Sequence, residues 1–299
     1  MAESVSPTSS AAHRTWFPDA MLALATAIWG ASFAVIKTGV ADVNPLVFLA
    51  LRFGGGALVY AIIFHRQSWP TRTELIWGLY LGALLWSGNI LQTVGLTEIS
   101  PARSAFLTSL NVLGVPFLLM VCWRQRIGMG VWISVLLACA GLIVLYWTHA
   151  GFSMQRGDLL TLGCAAIFSG HIVVMSSAGK RGRPLPLCGV QLVSAGVAFC
   201  VMLPLGLHGV PLGEVVRHIS RATWWGLGWL ATVGTVVPFA LQATFQPRTS
   251  PTRAAVMFTM EPVFATLFAA ILIGTSFSPR DAVGCGLLLL AVAVAEFKR

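Results

Sequence analysis

The sequence predicts an all-α polytopic membrane protein: ten transmembrane helices in a 5+5 inverted-topology repeat around a central cavity. Three observations predict it. Only 10% of the residues are charged and 57% are hydrophobic, whereas roughly 25% are charged in an ordinary soluble domain. Apolar runs near the length that crosses a bilayer recur along the chain. Short segments of the first half return, in order, in the second. Nineteen basic and ten acidic side chains cannot clothe the surface of a soluble chain of 299 residues.

The apolar runs fall at about 18–38, 45–64, 74–95, 102–122, 128–147, 158–178, 187–207, 222–243, 252–274 and 280–296. Each is near the ~20 residues of a spanning helix. They are too long, and alternate too little, for barrel strands. Residues 1–17 are polar and read as a cytoplasmic tail. The run after them reads as a first spanning helix and not a cleaved signal. The first five-helix group covers 18–147 and the second covers 158–296. Gly54-Gly55-Gly56, inside the second run, permits close helix contact.

The net charge of +9 does not form one basic patch, so no nucleic-acid partner is expected. The basic residues fall between the runs as topogenic charge. With the N-terminus inside, the inner flanks hold twelve Lys and Arg and the outer flanks hold six. This places both termini in the cytoplasm. The six cysteines lack CxxC pairs, and neither they nor the six histidines show metal spacing. No metal, cofactor or catalytic constellation is expected, and no GxxxxGK[ST] loop is present. Most tryptophans crowd the span ends, as interface anchors do.

The repeat rests on several matches. Ser100-Pro101-Ala102-Arg103 returns as Ser250-Pro251-Thr252-Arg253, and Leu91-Gln92 as Leu241-Gln242, each displaced by 150. Trp77-Gly78-Leu79 returns as Trp225-Gly226-Leu227, and Ile28-Trp29-Gly30 aligns with Ile167-Phe168-Ser169. A unit of five spans must enter the membrane the second time from the opposite side. Inverted repeats recur in secondary transporters.

Polar residues inside spans need a partner or a water-lined cavity. In the first span, Trp29, Ser32, Phe33 and Lys37 share helical spacing. Ser32 can donate to a ligand and the rings can cover an apolar side chain, while Lys37 suits the interface. Arg52 lies deep in the second span, where a lipid-facing arginine is costly. Glu98, Glu261 or a helix carboxyl end can pair with it, it can snorkel, or it can contact a substrate directly. Trp86 and Asn89 share a face of the third span, near Gln92. Thr108 and Asn111 lie in the fourth. His171, near the centre of the sixth span, can donate, accept or titrate. Glu261-Pro262 sits inside the ninth. The proline frees a carbonyl, and Glu261 can bind a cationic amine, carry a proton, or pair with Arg52 or Arg253. Arg103 and Arg253 follow matching Ser-Pro turns and are expected to play equivalent structural or gating roles.

These residues carry a family likeness. Trp29-Gly30-x-x-Phe33-x-x-x-Lys37, Arg52, both Ser-Pro-x-Arg turns and Glu261-Pro262-Val263-Phe264-Ala265 resemble the ten-helix drug/metabolite transporter superfamily of the EamA type. The likeness runs from about 18 to 296. It implies a bacterial inner-membrane exporter of amino acids, similar to the aromatic amino acid exporter branch. It also implies a cavity walled by Trp29, Ser32, Trp86, Asn89, His171 and Glu261, with Lys37, Arg52, Arg103, Arg253 and Pro262 structural or gating. Where the family often places Gly-Glu, after the fourth and ninth spans, this chain has Arg124-Gln125-Arg126 and Gly274-Thr275. The coupling mechanism stays open. The expected partners are a small-molecule substrate and membrane lipid, with a monomer sufficient. A carrier of another metabolite or drug, such as a nucleoside, and a passive pore are the competing readings.

Overall fold

The computed structural model describes residues 16–67, 69–146, 154–273 and 278–297. Most of the N-terminal tail, Gly274-Thr275 and Lys298-Arg299 lie outside the described residues. Those described are helical, with no strand among them. The helices are α1 (Trp16–Asp42), α2 (Pro45–Ile63), α3 (Arg72–Glu98), α4 (Pro101–Thr108), α5 (Asn111–Trp123), α6 (Met129–Tyr146) and α7 (Arg156–Ala178). There follow α8 (Pro184–Leu207), α9 (Leu212–His218), α10 (Arg221–Ala231), α11 (Val237–Phe245), α12 (Pro251–Phe258), α13 (Glu261–Ile273) and α14 (Pro279–Phe297).

Among the described residues, six segments are long and apolar enough to cross a bilayer: 16–42, 45–63, 101–123, 156–178, 184–207 and 221–248. The helices are divided more finely than the ten runs predicted from sequence. The short amphipathic α9 stands where the sequence suggested only a linker. Three runs are interrupted by local irregularities. Each irregularity has a chemical cause.

The α4–α5 and α12–α13 junctions are repeat-related. At each, a hydroxyl residue bonds back onto the preceding turn: Ser109 to the Ala105 carbonyl and Thr259 to the Val256 carbonyl. The backbone there tightens to i→i+3 bonds. Pro262 lacks an N–H, so the carbonyl of Phe258 loses its usual donor. Between α10 and α11 the chain widens into a π-turn over Thr232–Val236. Pro238, just beyond, likewise removes the donor for the Gly234 carbonyl.

Helix starts are capped by side chains, because lipid supplies no donors or acceptors. Asn44 caps α2, Ser100 caps α4, Ser220 caps α10 and Ser250 caps α12. Thr71 and Glu74 form a reciprocal capping box at α3. Glu74 also accepts from the Arg183 backbone N–H and guanidinium at 2.7–2.8 Å, which ties the start of α3 to the start of α8.

The main packing partners come from opposite groups. α2 lies along α8, α3 along α7 and α8, α6 along α14, and α1 against α11 and α13. The two groups are therefore interleaved. Apolar helices gain no hydrophobic drive from leaving lipid, so close backbone approach carries the association. Gly56 meets Ala231 and Thr235 at the π-turn. At the α6–α14 crossing a methyl group on Gly141 would stand 2.9 Å from the Gly284 carbonyl oxygen. Gly141→Val should therefore part α6 from α14 and destabilise the protein by about 1–3 kcal/mol. Thermal unfolding in detergent measures this, and an unchanged midpoint would show that the crossing tolerates a side chain.

Candidate functional site

One cavity lies between the two groups. Five of the six residues expected to face a ligand line it: Trp29, Ser32, Asn89, His171 and Glu261. Arg52 lines it as well. The sixth, Trp86, is not among the lining residues. It packs half-buried against the α2–α3–α8 cluster that contains Leu49, Leu81 and Leu192.

The lining comes in repeat-related pairs. At a displacement of 139, Trp29 pairs with Phe168, Ser32 with His171 and Phe33 with Ile172; all six line the cavity. At a displacement of 150, Asn89 pairs with Phe239, Gln92 with Gln242, Thr108 with Phe258 and Asn111 with Glu261; all eight line it. Asn111 and Glu261 are the first residues of α5 and α13, just after the two irregular turns. The helix interruptions thus bring both side chains to the cavity.

Aromatic rings form one part of the wall. Trp29 meets Phe239 at 5.3 Å and Phe258 at 5.6 Å between centroids, and His171 meets Phe239 edge-on. The amides are partly occupied. Asn89 Nδ2 donates to the Leu85 carbonyl at 2.9 Å and Gln92 Nε2 to Thr108 Oγ1 at 3.2 Å. Gln242 Nε2 donates to Gln246 Oε1 at 2.8 Å. Asn111 Oδ1 and Gln242 Oε1 are buried acceptors with no hydrogen-bond donor. Ser32 Oγ donates to the Ile28 carbonyl. His171 Nε2 lies 3.0 Å from Gln191 Oε1, so with that oxygen accepting, Nε2 carries the proton.

Arg52 is buried, and its expected pairing with Glu98 or Glu261 is not formed. Glu98 is within ion-pair distance of Arg156 instead, and Glu261 has no ion-pair partner among the described residues. Arg52 Nε donates to Thr235 Oγ1 at 3.1 Å and Nη2 approaches the Gly234 carbonyl at 3.5 Å. Both acceptors belong to the π-turn, and Pro238 takes away the i+4 N–H that an α-helix would offer the Gly234 carbonyl.

Arg253 does not pair with Glu261 either; it binds Asp19 in the first turn of α1. Arg103 binds Asp158 in the first turn of α7 through two bonds of 2.6 and 2.7 Å. The two arginines occupy matching places after matching Ser-Pro turns, and each reaches the first helix of the other group. Lys37 Nζ donates to the carbonyls of Leu96, Thr97 and Ile99, at 2.5–3.2 Å, and so closes the C-terminal end of α3. Phe168, Phe239, Phe258, Thr235, Asp19 and Asp158 were not singled out from sequence. The repeat displacements, applied to Trp29, Asn89 and Thr108, point to the three phenylalanines.

Apolar helices interleaved around a cavity of amides, aromatic rings, one guanidinium and one carboxyl group suit a multi-pass membrane transporter. The chain belongs to the EamA-like transporter family, whose sequence model matches it twice, over 16–147 and 155–296. It is 27% identical to an uncharacterized transporter of Archaeoglobus fulgidus over 94% of this chain and 86% of that one. It is 25% identical to an uncharacterized inner membrane transporter of Escherichia coli, YedA, over 89% of this chain and 86% of that one. It is also 25% identical to a probable amino-acid metabolite efflux pump of Escherichia coli, over 93% and 95%. A protein of known crystal structure superposes with a TM-score of 0.72 at 20% identity, over 93% of this chain and 96% of that one. That likeness shows the fold. Family and relatives are transporters, which points away from an enzyme.

The Arg103–Asp158 pair joins the two groups through a carboxylate that is fully buried. A double-mutant cycle with Arg103→Ala and Asp158→Ala should give a coupling of roughly 2 kcal/mol in thermal unfolding. Additive single effects would show that the pair ties nothing.

Proposed function

We propose that the chain exports amino acids, aromatic or otherwise apolar, across a bacterial inner membrane by alternating access. The observation that carries this reading is the paired lining of the cavity: each group supplies the same seven positions to one chamber. A chamber built this way has two equivalent exits, as an exchanging carrier needs. On this reading the ten apolar runs are ten spans. Groups 18–147 and 158–296 are inverted copies, and both termini are cytoplasmic.

The inverted layout assigns the two reciprocal ion pairs to opposite mouths. Asp19–Arg253 lies at the cytoplasmic end and Arg103–Asp158 at the other. Each ties the first helix of one group to the fourth run of the other. Opening a mouth breaks one pair while the other holds. The junctions beside Asn111 and Glu261 and the π-turn are the local irregularities on which the halves flex.

The wall suits the substrate class. Trp29, Phe168, Phe239 and Phe258 cover an apolar or aromatic side chain. Glu261 receives the ammonium group, helped by the acceptors Asn111 Oδ1 and Gln242 Oε1. Ser32, Asn89 and His171 orient the ligand. The efflux-pump relative in Escherichia coli supports the substrate class. One chain lines the whole chamber, so the reading needs no second copy.

Counterflow in liposomes tests this. Vesicles loaded with unlabelled phenylalanine should take up labelled phenylalanine saturably and faster than empty ones. Flux that neither saturates nor accelerates would mark a pore. Exchange of a nucleoside or an amphipathic drug, without amino acids, would reassign the substrate. Trp29→Ala should slow counterflow by about tenfold or more while elution stays that of the folded protein, with a modest fall in melting temperature because the ring packs on Phe239 and Phe258. Normal counterflow in that variant would remove Trp29 from the chamber wall.

A further inference from the structure

We propose that Arg52 is the carboxylate-binding residue of the transport cavity, so that the protein selects substrates carrying a carboxylate group. This rests on the cavity being the transport site. Of the roles the sequence left open for Arg52, pairing and direct substrate contact among them, it takes up substrate contact and names the chemical group bound.

Arg52 is only 3% exposed and lines the cavity from α2. A guanidinium taken out of water needs a counter-ion or a full set of acceptors. Arg52 has neither within the described protein. Its Nε is held by Thr235 and its Nη2 by a long contact to Gly234, while Nη1 is buried with no acceptor. Thr235 thus fixes the direction of the fork and leaves one edge of it unsatisfied. A planar carboxylate is the group that completes such a fork.

The repeat sharpens the assignment. Arg52 lies seven residues after Pro45, which opens α2; the same place after Pro184, which opens α8, is Gln191. Gln191 meets His171 through its oxygen, and its Nε2 is buried with no acceptor. The charge at 52 is therefore not required by the packing of this position in the fold. The one acidic residue of the lining, Glu261, likewise stands where its repeat mate is the neutral Asn111. The cavity thus carries one guanidinium and one carboxyl group, from different halves, and the two do not pair with each other. A ligand with both charges, such as an α-amino acid, meets each pole separately.

The test uses the purified full-length protein in detergent and three probes: phenylalanine, phenylalaninamide, which lacks the carboxylate, and 3-phenylpropionate, which lacks the ammonium. Thermal stabilisation reports binding without transport. In the wild type, phenylalanine should stabilise at concentrations at least about tenfold below those of the amide, the step expected from charge-assisted hydrogen bonds. Arg52→Met should abolish that preference, and Arg52→Lys should keep part of it. Without ligand, Arg52→Met should melt at or above the wild-type temperature, because an uncompensated charge is removed. A lower melting temperature together with an intact acid-over-amide preference would make Arg52 a structural residue and overturn the proposal. So would equal stabilisation by the acid and the amide in the wild type, or by none of the three. That wild-type comparison decides the matter even if Arg52→Met fails to fold. Binding of 3-phenylpropionate but not phenylalanine would uphold Arg52 and overturn amino acids as the substrate.

Discussion

Hydrocarbon offers no hydrogen bonds, and the rest of this structure depends on that fact. Every polar atom at membrane depth must find a partner within the bundle or face the cavity. The ends of the helices show the first solution. Ser100, Ser220, Ser250 and Asn44 cap their own helices, while Lys37 collects three carbonyls at the end of α3. Gln246 spans between elements, donating to the Ile172 carbonyl and to Ser176. Arg183, Arg103 and Arg253 each meet a carboxylate in the first turn of a distant helix. These contacts lock helix to helix in a solvent where apolar packing alone discriminates little between partners. The second solution is the cavity, where Arg52 Nη1, Asn111 Oδ1 and Gln242 Oε1 remain without protein partners.

Proline links the two solutions. In a soluble helix it is chiefly a defect; here the carbonyl it frees becomes available for use. Pro238 offers the Gly234 carbonyl no N–H beside Arg52, and the π-turn presents Thr235 alongside it. Pro262 stands at the start of α13 and so accompanies the displacement that brings Glu261 to the cavity. The interrupted helices are therefore where sequence chemistry becomes site geometry. At the α4–α5 and α12–α13 junctions Ser109 and Thr259 are buried against protein, whereas the π-turn leaves Thr232 exposed and its hydroxyl donates to the Gly228 and Trp229 carbonyls.

Much of this was legible in the sequence because polarity is conspicuous inside an apolar run. Trp29, Ser32, Asn89, His171 and Glu261 stood out, and they share one cavity. Phe168, Phe239 and Phe258 did not, because an apolar residue in an apolar run carries no contrast. Trp86 misled for a related reason: sharing a helical face with Asn89 does not decide which neighbour that face meets, and it meets the α2–α3–α8 cluster. The pairing of Arg52 was misjudged because the natural partner of a buried cation is a carboxylate. Its actual partners are a hydroxyl and a carbonyl released by a proline 186 positions away. The acids that hold Arg103 and Arg253, Asp158 and Asp19, lay at run edges, where a charge reads as an interface residue. The hydrophobic pattern marks how far a helix extends, but contacts across 55 or 234 residues depend on how the two groups interleave.

The interleaving explains why one chain can combine mechanical symmetry with chemical asymmetry. Seven pairs of related positions surround the cavity, so a movement of one group has a counterpart in the other. The ion pairs that tie the groups are related in the same way, Arg103–Asp158 and Arg253–Asp19. A perfectly symmetric lining would, however, present matching chemistry from both halves and would not orient a polar ligand. Among the seven pairs the chemistry departs at Asn89 against Phe239, Thr108 against Phe258, Ser32 against His171 and Asn111 against Glu261, and outside them at Arg52 against Gln191. Two of these departures introduce a guanidinium and a carboxyl group, one basic and one acidic, in opposite halves. On the proposed alternating-access reading, the repeat supplies the means of exchanging exits, and the places where the repeat fails supply the recognition of what is carried through them.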